Sequence, residues 1–339
     1  MNVLVIKDAG LGDTLIASSF LREVRAHLPI DTLDFVGDPK ATQVLPTSVL
    51  DRVHLFDRGE VAALPLVRRI RAELRFLSSI WRGNYSAAFD LTGSLRSALL
   101  TVVSRARLRC GFRTYGFEEF LYNVKVEKST ELYESENYLA FLRRMGKTGL
   151  DPLPFFSPGS DAIRDAKRIF LDCPCADQIV GLNPGASVAI KRWPAERFAR
   201  LGDILSAEGF TVAIVEGPSE VGIGSRVAEL MEHKAIQARQ LPFDVLAALV
   251  KEMRLLISND TAVLHLGAAV GTATLGIFGP TDPIAYTPPI GPHHYIRSNI
   301  SCSPCNRLEC ERKSECLLRI DAAEVAEKAL RIIKEVECA

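Results

Sequence analysis

The chain opens on an apolar, β-branched run at residues 2–7, turns through Asp8-Ala9-Gly10-Leu11-Gly12, and then carries apolar residues at helical spacing over residues 13–27, up to Pro29. A short apolar run closed by a glycine turn reads as a buried strand, and the stripe after it as the helix that covers it. The pattern recurs. Strands are predicted at residues 32–36, 52–56, 87–91 and 109–112, with helices at 61–82 and 94–104 between them. A proline-rich stretch from Asp151 to Gly159 interrupts the alternation, which resumes with strands at 179–183, 211–216, 255–258 and 273–278 and helices at 195–208, 220–233, 243–252 and 261–270. A last helix, 321–337, starts at Asp321-Ala-Ala-Glu324, the spacing of a capping box. Strands alternating with helices predict α/β structure with parallel sheets covered on both faces. At 339 residues the chain exceeds what one core usually serves. Two Rossmann-like domains are therefore predicted, residues 1–155 and 156–339.

Composition narrows the class. With 47% hydrophobic and 24% charged residues the chain can bury large cores. Its 41 basic and 41 acidic residues cancel, so no general positive field would gather a nucleic acid. The balance is uneven along the chain: eleven arginines lie between Arg58 and Arg113, against Glu60, Glu73 and Asp90. That region expects an anionic partner. No apolar run reaches the roughly eighteen residues needed to cross a bilayer, and the start lacks the features of a signal peptide, so a cytoplasmic location is expected. Cysteines in a reducing compartment are thiols or metal ligands rather than disulfides. Four of the eight fall at Cys302-x2-Cys305-x4-Cys310-x5-Cys316. They offer either a closed structural site for zinc or iron or a set of buried thiols.

Four segments carry candidate chemistry. Gly10 and Gly12 begin a dinucleotide fingerprint, but Leu15 stands where the third glycine belongs. Asp13 at the helix start would favour the helix end yet repel a pyrophosphate there; it is either a cap or a general base at the sheet edge. In Asn183-Pro-Gly-Ala-Ser187 and Lys191-Arg-Trp-Pro194, small residues allow close backbone approach while Ser187 and Lys191 could donate to phosphate; the alternative is a solvated basic loop anchored by Trp193. Ser258-Asn-Asp260-Thr261 leads into a helix whose free N–H groups suit an anion, with Asp260 as a plain cap and His265 as a packed residue on the bland reading. Gly279-Pro-Thr281-Asp-Pro283 forms a second small-residue turn at the same edge. Two such turns suit a nucleotide diphosphate.

Taken in order, GLGDTLIASSFLREVR, AAFDLTGSLRSALL, NPGASVAIKRWPAERF, EGPSE, SNDTAVLHLGAA, IFGPTDP and CSPCNRLEC give the chain a resemblance, over nearly its whole length, to the ADP-heptose:lipopolysaccharide heptosyltransferases of glycosyltransferase family 9. The resemblance implies a GT-B architecture, two Rossmann-like domains with parallel sheets facing across a cleft, acceptor on the N-terminal side and nucleotide sugar on the C-terminal side. It implies inverting transfer from ADP-heptose to a lipopolysaccharide core acceptor, an anionic glycolipid at the membrane surface that would explain the arginines and a peripheral place on the inner membrane. No catalytic metal is implied, and the sequence has no Asp-x-Asp pair. By motif position Asp13 resembles the catalytic base, Ser187 and Lys191 the donor-phosphate contacts, Glu220 the acid on the ribose, and Asp260, Thr261 and His265 the donor segment; Gly12, Gly279 and Thr281 complete the expected lining. Ala262 stands where relatives often have glycine, and Ala186 where some have a hydroxyl. Competing readings are a protein acceptor or another nucleotide sugar, a nucleotide-sugar epimerase or nicotinamide oxidoreductase, which the incomplete glycine fingerprint disfavours, and a catalytically silent binding homologue.

Overall fold

The first apolar run forms the middle of a sheet. The computed structural model describes residues 1–46, 48–114, 116–170, 178–217 and 222–338. Its contacts divide the chain into two units, Met1–Phe155 and Phe156–Ala339. In the first, β1 (Asn2–Ile6), β2 (Thr32–Gly37), β3 (Arg52–Leu55), β4 (Ala87–Asp90), β5 (Leu108–Phe112) and β6 (Val124–Val126) form one sheet in the order β3-β2-β1-β4-β5-β6. All its pairings are parallel. Helices α1 (Leu11–His27), α2 (Arg58–Ala63), α3 (Leu66–Arg82), α4 (Leu95–Val103) and α5 (Glu134–Arg144) cover it. Alternate side chains of a strand point to opposite faces. Leu4 and Ile6 accordingly join Phe76 and Ile80 of α3 and Leu100 of α4 in one core. Elsewhere in the unit Phe20 of α1 meets Phe89 of β4 edge-on at 5.2 Å and Phe141 of α5 at 6.3 Å.

The second unit follows the same plan. Its elements are α6 (Ser160–Ile169), β7 (Ile179–Asn183), α7 (Ala195–Ala207), β8 (Thr211–Val215), α8 (Ile223–Leu230), β9 (Ile236–Ala238), α9 (Phe243–Lys251), β10 (Leu255–Asn259), α10 (Ala262–Ala269), β11 (Ala273–Phe278), α11 (Pro283–Tyr286), β12 (His293–Arg297), α12 (Glu315–Leu318) and α13 (Ala322–Glu337). The sheet is again parallel, in the order β12-β11-β10-β7-β8-β9. Counted from its own first strand, each sheet is wound 3-2-1-4-5-6, the Rossmann order. Trp193 is buried in the second core, edge-on to Phe198 at 4.9 Å, with its indole N–H on the Ile320 carbonyl at 3.1 Å.

The α/β class and the paired parallel sheets are as the sequence alternation implied. Three details differ. The helix predicted over 61–82 is two, because Pro65 is extended at φ −54°, ψ 145°, and supplies no N–H to carry the first into the second. The helix predicted over 220–233 is described only as α8, entered through Gly222 at φ 92°, a left-handed conformation that favours glycine. The short strands β6, β9 and β12 escaped notice because three to five residues of mixed polarity carry little periodic signal.

Within β12, His293 is buried and its Nδ1 lies 3.0 Å from the Thr274 hydroxyl. Burial, with a smaller push from His294, lowers its pKa from 6.5 to about 4. The unfolded chain takes up this proton below its ordinary pKa while the folded chain does not, so stability falls as pH drops from about 6.5 towards 4. Replacing the imidazole by a non-titrating amide, His293→Gln, is expected to remove roughly 2 kcal/mol of the acid destabilisation between about pH 7 and pH 5, measured by urea unfolding at the two pH values.

Candidate active site

In each unit the strand order reverses between two neighbouring parallel strands, β1 and β4 in the first, β7 and β10 in the second. At such a reversal the following loops leave in opposite directions and open a crevice beyond the carboxyl ends of the strands. The residues singled out in the sequence fall largely at these two places.

In the first unit β1 runs into Lys7, which is buried; its ammonium donates to the Leu91 carbonyl at 3.3 Å and lies 5.0 Å above the Tyr138 ring. Burial lowers the Lys7 pKa, against the nearby charges of Asp13, Glu134 and Asp90, which raise it. Asp90, paired with Ile6 across the sheet, accepts the N–H groups of Thr92 and Gly93 at 2.8 and 3.0 Å through Oδ1 and the Tyr122 hydroxyl at 2.7 Å through Oδ2. Burial raises its pKa, and these bonds oppose the rise. The Thr92 hydroxyl in turn accepts the Asp8 N–H at 2.9 Å, tying the loop after β4 to the loop after β1. Asp13 is partly exposed in the first turn of α1 with Gly12 beside it, but it does not cap the helix: Gly10 is the N-cap and no side chain bonds it. The cap reading of Asp13 therefore fails. Its carboxylate sits near the positive end of a helix and within the field of a buried lysine.

In the second unit two asparagines, the last residues of β7 and β10, organise the loops. Asn183 donates to the Val215 carbonyl at 2.9 Å and accepts the hydroxyls of Ser258 and Thr261, each at 3.0 Å. Asn259 donates to the carbonyls of Pro184 and Gly185 at 2.8 and 3.0 Å and accepts the Trp193 N–H at 3.1 Å. The loop from 184 to 193 is thereby held down. Its 3-10 turn, Ala189–Lys191, brings the Lys191 ammonium to 2.5 Å from Asp260 Oδ2. Asp260 is buried, whereas the Lys191 side chain is 26% exposed. The helix cap expected of Asp260 is Thr261 instead, whose hydroxyl accepts the Val263 N–H at 3.2 Å while donating to Asn183.

The remaining expected residues divide. Ser187 is exposed on the same loop as Lys191, and His265 is buried on α10 with its ring 6.0 Å from that of Tyr286. Thr281 is buried. At Gly279 a Cβ would come within 2.7 Å of Leu317 and 3.2 Å of the Cys316 sulfur, so that glycine answers to packing. Glu220 lies outside the described residues. Four site residues were overlooked in the sequence: Lys7, Asn183, Asn259 and Glu216. The signal for the first three was available, since a lysine or asparagine ends each apolar strand where a further apolar residue would be expected. Glu216 ends the run after β8, buried, with Oε1 accepting the Gly224 N–H at 2.5 Å and Oε2 without a partner among the described residues.

Residues 73–315, more than two thirds of the chain, match the family model of glycosyltransferase family 9 (heptosyltransferase). The chain belongs to this family. This family 9 glycosyltransferase is 23% identical over 309 residues to lipooligosaccharide heptosyltransferase 2 of Haemophilus ducreyi, with 86% of each chain covered. Its fold is similar to that of the glycosyl transferase family 9 protein from Veillonella parvula, TM-score 0.83 at 22% identity, over 98% of this chain and 97% of the other. It is also similar to E. coli ADP-heptose LPS heptosyltransferase II, TM-score 0.74 at 20% identity, over 99% and 100%.

The four cysteines of the 302–316 segment gather in one region of the second unit. Among the described residues no group of three or more His, Cys, Asp or Glu side chains is placed to hold a metal ion. The four thiols lie within electrostatic reach of one another but differ in exposure. Cys316 is buried beside Leu317, Cys305 is exposed, and the Cys310 sulfur accepts the Ser314 N–H at 3.4 Å. Burial raises the Cys316 pKa, which keeps it a neutral thiol, and the other three cysteines add to the rise.

The ion pair between Lys191 and Asp260 makes a direct test of the second crevice. Lys191→Ala leaves a buried carboxylate unpaired, and a loss of roughly 1–3 kcal/mol is expected in thermal unfolding. Adding Asp260→Asn in the same chain should restore part of it, because the stranded charge is gone.

Proposed function

We propose that this glycosyltransferase transfers a heptose from ADP-heptose to a lipopolysaccharide core acceptor, with inversion at the anomeric carbon, on the cytoplasmic side of the membrane. The relatives bearing heptosyltransferase names over most of their length support the donor and the acceptor class. The observation that carries the site reading is the Lys191–Asp260 pair at the start of α10: a partly exposed cation, held by a carboxylate where backbone N–H groups of a helix also emerge.

In this reading the first unit binds the acceptor and the second the nucleotide sugar. Asp13, with Gly12 beside it, receives the proton of the acceptor hydroxyl as that oxygen forms the new bond to the anomeric carbon. The bond from that carbon to the ADP phosphate breaks, and ADP leaves with the electron pair. Lys191 exchanges Asp260 for phosphate oxygens, and Ser187 donates from the same loop. Thr261 contributes through the N–H groups of the helix it caps, because its hydroxyl proton is committed to Asn183. Glu220 is assigned the ribose hydroxyls, and His265 lines the sugar site beside Thr281 and Gly279. Lys7 is a positioning residue, a buried lysine within electrostatic reach of the Asp13 carboxylate at the end of β1. No step runs through a metal.

Asp13→Ala is expected to lower transfer by about 10²–10⁴-fold while ADP binding stays near wild type, since a base acts on the acceptor and not on the nucleotide. ADP release from ADP-heptose in the presence of acceptor, with ADP affinity by calorimetry, measures both. Near-wild-type turnover in the folded variant would end the assignment. Turnover is also expected to persist in EDTA; strict dependence on added Mg²⁺ or Mn²⁺ would contradict the cradle described.

A further inference from the structure

Helix α3 is apolar on two sides. Its inner row, Phe76 and Ile80, is buried in the core of the first unit. Its outer row, Val67, Ile70, Leu74 and Trp81, follows helical spacing along the opposite surface and is exposed, Val67 by 70% and Leu74 by 62%. The outer row is interleaved with Arg68, Arg69, Arg71, Arg75 and Arg82. The single acid of the helix, Glu73, is taken by Arg96 of α4 at 3.2 Å, so it cancels none of them. Among the described residues none of the five pairs with an acid.

The neighbours of α3 continue the surface. Helix α4 packs against both α3 and the 3-10 turn Phe117–Leu121. It exposes Leu95, Leu99 and Val102 while burying Ala98, Leu100 and Thr101. The turn exposes Phe117 by 68% and Phe120 by 78%, their rings 6.1 Å apart. Cations again flank the rings: the Arg105 guanidinium lies 5.2 Å over Trp81 and the Lys125 ammonium 5.9 Å over Phe120. Three adjacent elements thus each expose large apolar side chains under arginines and lysines. A water-facing surface rarely does so without an occupant.

We infer that this face docks on a bilayer bearing anionic phospholipid headgroups, with α3 lying in the interfacial plane. Charge complementarity selects that occupant: arginines flank the apolar row of α3 and no free acid interrupts it, the Glu118 and Glu119 carboxylates of the turn are held by the Thr114 hydroxyl and by Lys125, and aromatic rings with cations above them suit the headgroup boundary. No helix among the described residues is long and apolar enough to cross a membrane, so the attachment is to one surface. Its purpose rests on the proposed function, since a lipid-borne acceptor is met at such a surface. The binding is measured without donor or acceptor and stands or falls separately.

The test is co-sedimentation of the full chain with vesicles of phosphatidylethanolamine and phosphatidylglycerol, and with vesicles of phosphatidylcholine alone. Binding is expected to the first, falling as salt rises, and at least about tenfold weaker to the second. Ile70→Asp with Leu74→Asp, Phe117→Ser with Phe120→Ser, and reversal of Arg68, Arg69, Arg71 and Arg75 to glutamate should each weaken it at least about tenfold, whereas lysine at the same four positions should retain it. Trp81 emission should shift to the blue on binding; the other tryptophan, Trp193, is already buried and should not respond. Circular dichroism, and turnover on a delipidated acceptor unchanged in the Ile70/Leu74 and Phe117/Phe120 variants, separate docking from folding and from catalysis. Failure to bind phosphatidylglycerol vesicles at low salt, or binding indifferent to Ile70 and Leu74, overturns the inference. So does a dimer that those substitutions dissolve, since the face would then belong to a second copy.

Discussion

A sheet whose strands all run one way gathers every strand's carboxyl end on one edge, and a reversal in strand order opens that edge at a single place. Both sheets obey the same winding, so the chain acquires two such openings, between β1 and β4 and between β7 and β10. The chemistry is distributed accordingly. Lys7, Asp13 and Asp90 collect at the first, Asn183, Lys191, Asp260 and Thr261 at the second. Each set joins segments far apart in sequence, and each follows from strand direction and order.

What holds these edges in shape is a small number of saturated polar groups rather than extra apolar contact. Asp90 accepts from two backbone N–H groups and a tyrosine hydroxyl, Asn183 and Asn259 each donate and accept across their sheet, and all three are buried. A buried group with every bond made fixes its neighbours at little net cost, whereas one lost partner costs on the order of 1–3 kcal/mol. The loops that carry Lys191 and Thr92 are therefore set by the strands beneath them.

Much of the fold was legible because strands such as β1 and β11 are apolar at all but one position and their covering helices carry apolar stripes. The candidate site was legible in part. Asp13, Lys191 and Thr261 stood in short polar segments directly after apolar strands, where periodicity marks them as edge residues. Their partners were not legible, because pairing Lys191 with Asp260, or Thr92 with Asp8, depends on which strands become neighbours. Cap assignments failed for a similar reason: at the starts of α1 and α10 the carboxylate lies one place away from, or beyond, the residue that makes the turn. The cysteine spacing left exposure open, because spacing along a chain says nothing about which thiol turns inward, and Cys316 does.

The carboxylate on Lys191 has a consequence for discrimination. With Asp260 in contact, the crevice already contains its own anion, tethered and buried. Any incoming anion must compete with it, so occupancy reflects an exchange between two negative groups and not the capture of a bare cation. On the proposed function, a singly charged competitor would gain little by that exchange, while a ligand with two phosphates could take the ammonium and still reach the helix N–H groups. On the proposed function the pair would act as a threshold on ligand charge, set before shape is consulted.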